Sequence, residues 1–133
     1  MAPKRSTKDK FIGSSKITGL LSSNFREFLS EKNIALVMFY DPNCPMCQQM
    51  KPHFLKTTFV TNREGQSFAA VDCTAEPELC REEMINRLPS FKLYSKGRPV
   101  NVFGGRIDYR TLKKYVENAP NASRIPVRGE LFE

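Results

Sequence analysis

The chain of 133 residues has no tryptophan, a single histidine and no long apolar run. Nothing approaches the ~20 consecutive apolar residues that span a bilayer, which excludes a transmembrane helix and with it a membrane-embedded function. The first ten residues, Met1 to Lys10, are basic but have no apolar core, so they do not read as a secretory signal. Two settings stay open on that ground: a cytosolic protein, or a mature one whose targeting segment is not in this chain. No internal repeat or low-complexity tract is visible. The formal charge is +7, but residues 1–16 hold five bases and one acid and so carry +4, leaving +3 for the rest. Beyond them acids and bases alternate, as in Arg81-Glu82-Glu83 and in Lys113-Lys114 followed by Glu117. That is the pattern of an ordinary solvated surface, and it argues against a nucleic-acid partner.

What is present is one domain's worth of chain, long enough to bury roughly two-thirds of its unfolded surface. Its centre is Phe39-Tyr40-Asp41-Pro42-Asn43-Cys44-Pro45-Met46-Cys47. Ile34 to Tyr40 is short and continuously apolar, which predicts a strand buried on both faces. Gln48 to Leu55 reads as helix, with Cys47, Met50 and Phe54 on one side. Cys44 then stands at a strand-to-helix junction, and Pro45 takes the first helical position, where its missing N–H costs nothing. The open N–H groups and positive dipole end there favour a thiolate. Two cysteines separated by two residues at such a junction can close a small reducible disulfide. The bland alternatives are an inert disulfide or half of a metal site.

Along the chain, Ser15-Lys16-Ile17-Thr18 predicts a short first strand. Ser22-Ser23-Asn24 offers an N-cap for a helix reaching about Lys32, with Phe25, Phe28 and Leu29 on one face. The helix begun at Pro45 extends to about residue 62, with Pro52 inside it as a source of a kink. A strand over 67–72, a helix from Pro77 to about Ile85, a hairpin of 90–94 and 99–103 turning at Ser95-Lys96-Gly97-Arg98, and a last helix carrying Leu112, Tyr115 and Val116 complete the order βαβαβαββα. That order predicts an α/β fold, a mixed central sheet flanked by helices on both faces. Residues 1–14 read as a basic disordered tail or an expression remnant, with a nuclear-import signal as the other reading. Residues 15–120 read as the domain, and 121–133 as a loosely ordered tail.

Four motifs in order carry a resemblance: Phe39 to Cys47, Val71-Asp72-Cys73-Thr74, Leu88-Pro89-Ser90-Phe91 and Gly104-Gly105-Arg106. The segment from about Ser15 to Pro120 resembles a thioredoxin-fold domain of the protein disulfide isomerase family, with a Cys-Pro-Met-Cys variant of its site. The resemblance implies that Cys44 is the nucleophile and Cys47 the resolving cysteine. It also implies a cis peptide before Pro89, the Leu88 backbone then being available to an extended client; a trans proline opening the next strand is the plainer reading. Arg106 matches an arginine able to approach the second cysteine, although such a residue is as often simple surface. Cys73 and Cys80 match a structural disulfide of some relatives, two free thiols being the alternative; a four-cysteine zinc site lacks the ligand spacing.

The site departs from the family in ways that bear on rate. Pro45-Met46 replaces Gly-His, so no imidazole lies between the cysteines. Asn43 replaces a tryptophan, Gln48 a base and Met38 the buried acid that helps move the second cysteine's proton. General acid–base help is typically worth ~10²–10⁴ in rate, so the resemblance implies a slow enzyme. His53, nine residues after Cys44, reads as exposed surface and not as a base. The implied function is thiol–disulfide exchange with protein cysteines, without cofactor or metal, by a monomer or one domain of a longer chain. The other reading is a client-binding or recruitment module with a weak or inactive redox site. A second disulfide and the sequon Asn121-Ala122-Ser123 fit the endoplasmic reticulum lumen or the exterior.

Overall fold

The computed structural model describes residues 16–120; both tails and the sequon lie outside that range. Five strands, β1 (Thr18–Gly19), β2 (Ile34–Tyr40), β3 (Gln66–Asp72), β4 (Ser90–Ser95) and β5 (Arg98–Gly104), form one sheet in the order β1-β3-β2-β4-β5. The first three run parallel, and β4 and β5 are antiparallel additions. Four helices connect and cover them: α1 (Phe25–Ser30), α2 (Pro45–Val60), α3 (Pro77–Glu82) and α4 (Tyr109–Asn118).

All seven residues of β2 are buried, because successive side chains leave a strand on opposite faces and here both faces are covered. Leu36, Met38 and Tyr40 join Cys47, Met50 and Phe54 of α2 and Leu112 and Val116 of α4 in one core. Ala35, Val37 and Phe39 join Phe25 and Leu29 of α1 and Leu79 and Cys80 of α3 in the other. Leu88 packs against both. The β4–β5 hairpin turns through Lys96 and Gly97 at φ +54° and +83°, the paired left-handed conformation that two-residue hairpins use.

Some boundaries differ from the sequence expectation, for local reasons. The first strand is Thr18–Gly19, shifted toward β3 to pair with Ala69 and Ala70. The first helix stops at Ser30 and not near Lys32, and the Asn24 side chain accepts from the Leu21 N–H instead of capping forward. The third helix stops at Glu82, short of Ile85, because Met84 adopts φ +63°. The Ile85 N–H donates to the Cys80 carbonyl (2.9 Å) and the Met84 N–H to that of Arg81 (3.0 Å). This is a Schellman closure with methionine where glycine is usual.

Candidate active site

Cys44 occupies the N-cap position of α2 and Pro45 its first turn, as the junction predicts. The turn leading in is held by Asp41: its carboxylate accepts from the Asn43 N–H (2.8 Å) and its carbonyl from the Cys44 N–H (3.0 Å). The Gln48 side-chain amide donates to the Pro42 carbonyl, tying the helix back to the same loop. Cys44 is half-buried and Cys47 fully buried, both as free thiols. The Cys47 N–H donates to Cys44 Sγ across 3.3 Å, so the helix start is directed at the outer sulfur.

Leu88–Pro89 is a cis peptide. It brings the Leu88 carbonyl oxygen to 4.0 Å from Cys44 Sγ. The Pro89 carbonyl accepts from the Gly105 N–H (3.0 Å), joining the Leu-Pro-Ser-Phe and Gly-Gly-Arg motifs at one end of the sheet. Two of the four motifs therefore meet at the Cys44 sulfur, and a third is hydrogen-bonded to them through Pro89. The fourth supplies Cys73, which bonds Cys80 in a disulfide on the other face of the sheet.

The surroundings of Cys47 are dry. Burial, followed by the hydrogen bond with Cys44, pushes its thiol up to about 12. Met38 is fully buried in the same core, and the carboxylate that acts on Cys47 is that of Asp41, whose charge raises the thiol while its backbone bond lowers it. Met46 packs against that core, beside Cys44. Arg106 is exposed, and its guanidinium donates to the Gln49 amide oxygen (2.6 Å) and not to sulfur. Among the described residues no three His, Cys, Asp or Glu side chains gather in a metal-holding arrangement, and no helix is long and apolar enough to cross a membrane.

Two residues differ from the surface reading of the sequence. His53 is half-buried: its Nδ1 accepts from the Tyr109 N–H (3.3 Å) and its ring stacks on Tyr109, so it secures the start of α4. Glu83, read as one of an alternating surface run, is 8% exposed. Its carboxylate accepts from Tyr94 Oη (2.6 Å) and Lys92 Nζ (3.2 Å) and lies 3.3 Å from an Arg26 guanidinium nitrogen. Burial raises its carboxyl, but the Tyr94 bond and the Lys92 and Arg26 charges outweigh that and hold it below the ordinary value. Burial and then the Glu83 bond raise the Tyr94 phenol. The one advance signal was Lys92 in an otherwise apolar strand.

The family model described as Thioredoxin matches residues 16–118. The chain is 37% identical over 87 residues to mouse protein disulfide-isomerase A5, covering 63% of this chain and 17% of that protein. It spans only 17–25% of the length of the first curated relatives it matches. Among solved structures, the human ERp44 zinc-bound form superposes with a TM-score of 0.69 at 28% identity, covering 75% of this chain and 30% of that one. Oxidised mitochondrial thioredoxin 3 of Saccharomyces cerevisiae superposes with a TM-score of 0.70 at 22% identity over 83% of this chain and 99% of that one, a likeness of fold. The chain belongs to the thioredoxin family, as a domain similar to those of protein disulfide isomerases.

Proposed function

We propose, with thioredoxin-family membership as the premise, that this domain exchanges disulfides with cysteines of client proteins through Cys44 and Cys47. The observation that carries the reading is a partly exposed Cys44 sulfur at a helix start, with Cys47 directly beneath and the Leu88 backbone beside it. In the reducing direction, the Cys44 thiolate attacks one sulfur of a client disulfide. That S–S bond breaks, a mixed disulfide forms and the first client thiolate leaves. Cys47 then loses its proton and attacks Cys44 Sγ. The second client thiolate leaves, so the client gains two electrons and the site becomes a disulfide. Run backwards, the same steps oxidise a client dithiol.

The client lies extended across Leu88 and Pro89, using the Leu88 amide as a strand edge; that N–H has no backbone partner among the described residues. Arg106, after releasing Gln49, is the candidate to lower the charge cost of the Cys47 thiolate. Pro45 and Met46 shape the mouth without adding charge. The Cys73–Cys80 disulfide fits an oxidising compartment, the endoplasmic reticulum lumen or the exterior.

A second reading is favoured by one observation. With burial raising the Cys47 thiol and Met38 standing where the family has an acid, release from the mixed disulfide is slow, and the domain holds clients longer than it turns them over. Recovery of activity in a scrambled-disulfide client, run beside a glutathione redox titration of the pair, tests both. Rates above free thiol that vanish in Cys44→Ala are expected of the enzyme. Rates equal to free thiol and indifferent to that substitution would sink it; trapped client with little turnover would favour the holding module.

A further inference from the structure

Two exposed guanidinium groups, Arg87 and Arg106, flank the loop of Leu88 and Pro89 and the Gly104-Gly105 pair beside it. Arg87 precedes Leu88, whose carbonyl faces Cys44 Sγ, and its side chain folds over the end of β5. A Cβ placed on Gly104 would sit 2.9 Å from Arg87 Cδ, and one on Gly105 would sit 3.1 Å from Arg87 Nη2. These two glycines, paired to Ser90 and Pro89, thus form a shelf on which the arginine lies. Arg87 is exposed and has no carboxylate partner among the described residues. Arg106, next after the shelf, is likewise exposed and pairs only with the neutral Gln49 amide there. Asp41 accepts from the Asn43 N–H and Asp108 from the Thr111 N–H, and neither forms an ion pair with Arg87 or Arg106 among the described residues.

We propose that Arg87 is a specificity-determining residue that selects extended client segments carrying Asp or Glu within two residues of the reacting cysteine. The inference rests on the reading that a client lies across Leu88. A strand advances about 3.3 Å per residue, so the client position facing Arg87 is one or two removed from the one facing Cys44. Arg87 lies along Gly104 and Gly105, and its planar fork suits a carboxylate.

The test uses fluorescent eight-residue peptides with acidic, neutral or basic flanks, each with serine in place of cysteine for binding and as a mixed disulfide for exchange. The full chain is expected to bind the acidic peptide at least fivefold tighter than the basic one at low salt, the gap closing toward 0.5 M salt. Arg87→Glu should reverse the order and Arg87→Gln should flatten it, with circular dichroism confirming that both fold. Equal binding of all peptides, or a preference unchanged in both variants, overturns the inference even if exchange is fast. Acidic preference in binding without exchange above free thiol leaves it standing and removes the catalytic reading instead.

Discussion

The two faces of the sheet handle polar chemistry in opposite ways. On the α2/α4 face a thiol is buried in hydrocarbon with no cation to favour its thiolate, and it keeps its proton. On the α1/α3 face a carboxylate is equally buried yet held ionised, because a phenol, an ammonium and a guanidinium converge on it. The fold can hold an internal charge, then, but only where partners offset its desolvation. Its buried acid lies across the sheet from the cysteine that could use one. The closed disulfide Cys73–Cys80 packs on the charged face and the open pair stands at the edge of the dry one.

The sharpest way to break this contrast is to move an acid across. Met38→Glu places a carboxyl in the Cys47 core and is expected to speed release from a trapped Cys44 mixed disulfide by at least ~10²-fold at pH 7. It should also lower stability, since no partner awaits the charge there. Unchanged single-turnover release in a folded variant would mean that proton removal from Cys47 does not limit the rate. In the unaltered chain, burial holds the Cys47 thiol above the ordinary range, so only a small fraction is ionised at pH 7. Release should therefore rise about tenfold per pH unit between 7 and 10, and a flat profile would contradict the dry-face account.

The charged face is tested next. Glu83→Gln retains an acceptor for Tyr94 but removes the charge opposite Lys92, whose side chain is 12% exposed and keeps only its bond to the Glu83 carbonyl (2.8 Å). We expect a loss of about 2–3 kcal/mol in urea unfolding, below the 3–5 of a fully buried pair because Arg26 remains in water. Because the Glu83 carboxyl is held low, its stabilisation is complete above the unfolded value of about 4.3 and drains away as pH falls through the folded one. The variant should lose that stretch of acid sensitivity; an unchanged acid limb would count against the network. Removing the closed pair by Cys73→Ala with Cys80→Ala should cost about 2–3 kcal/mol, from the entropy of so short a loop. Thermal unfolding under non-reducing conditions checks this, and an unchanged midpoint would refute it. Smallest is Met84→Gly, expected to add about 0.5–1 kcal/mol by relieving a left-handed non-glycine residue whose side chain is 84% exposed. A destabilised variant would show that Met84 makes a contact worth more than its backbone strain.

Much of this architecture is legible in local patterns. The apolar run of β2, the Cys-Pro junction and the Ser95–Arg98 turn each specify their own conformation, and the site's sulfur stands where that junction places it. Glu83 and His53 escaped such reading for one shared reason. Their partners sit on other elements, Tyr94 and Lys92 of β4 and Arg26 of α1 for Glu83 and Tyr109 of α4 for His53, so the periodicity of their own element does not record them. Arg87 was equally silent, because its shelf exists only once β5 has paired with β4.

The order of elements, the helix start beneath Cys44 and the alternation that buries β2 follow from steric and hydrogen-bonding rules acting within a few residues, and the amino-acid sequence alone determined them. Which acid is buried, which thiol is left dry and which arginine lies along Gly104 and Gly105 were decided by the tertiary structure, because the solvation of a charge depends on whatever distant segments fold against it.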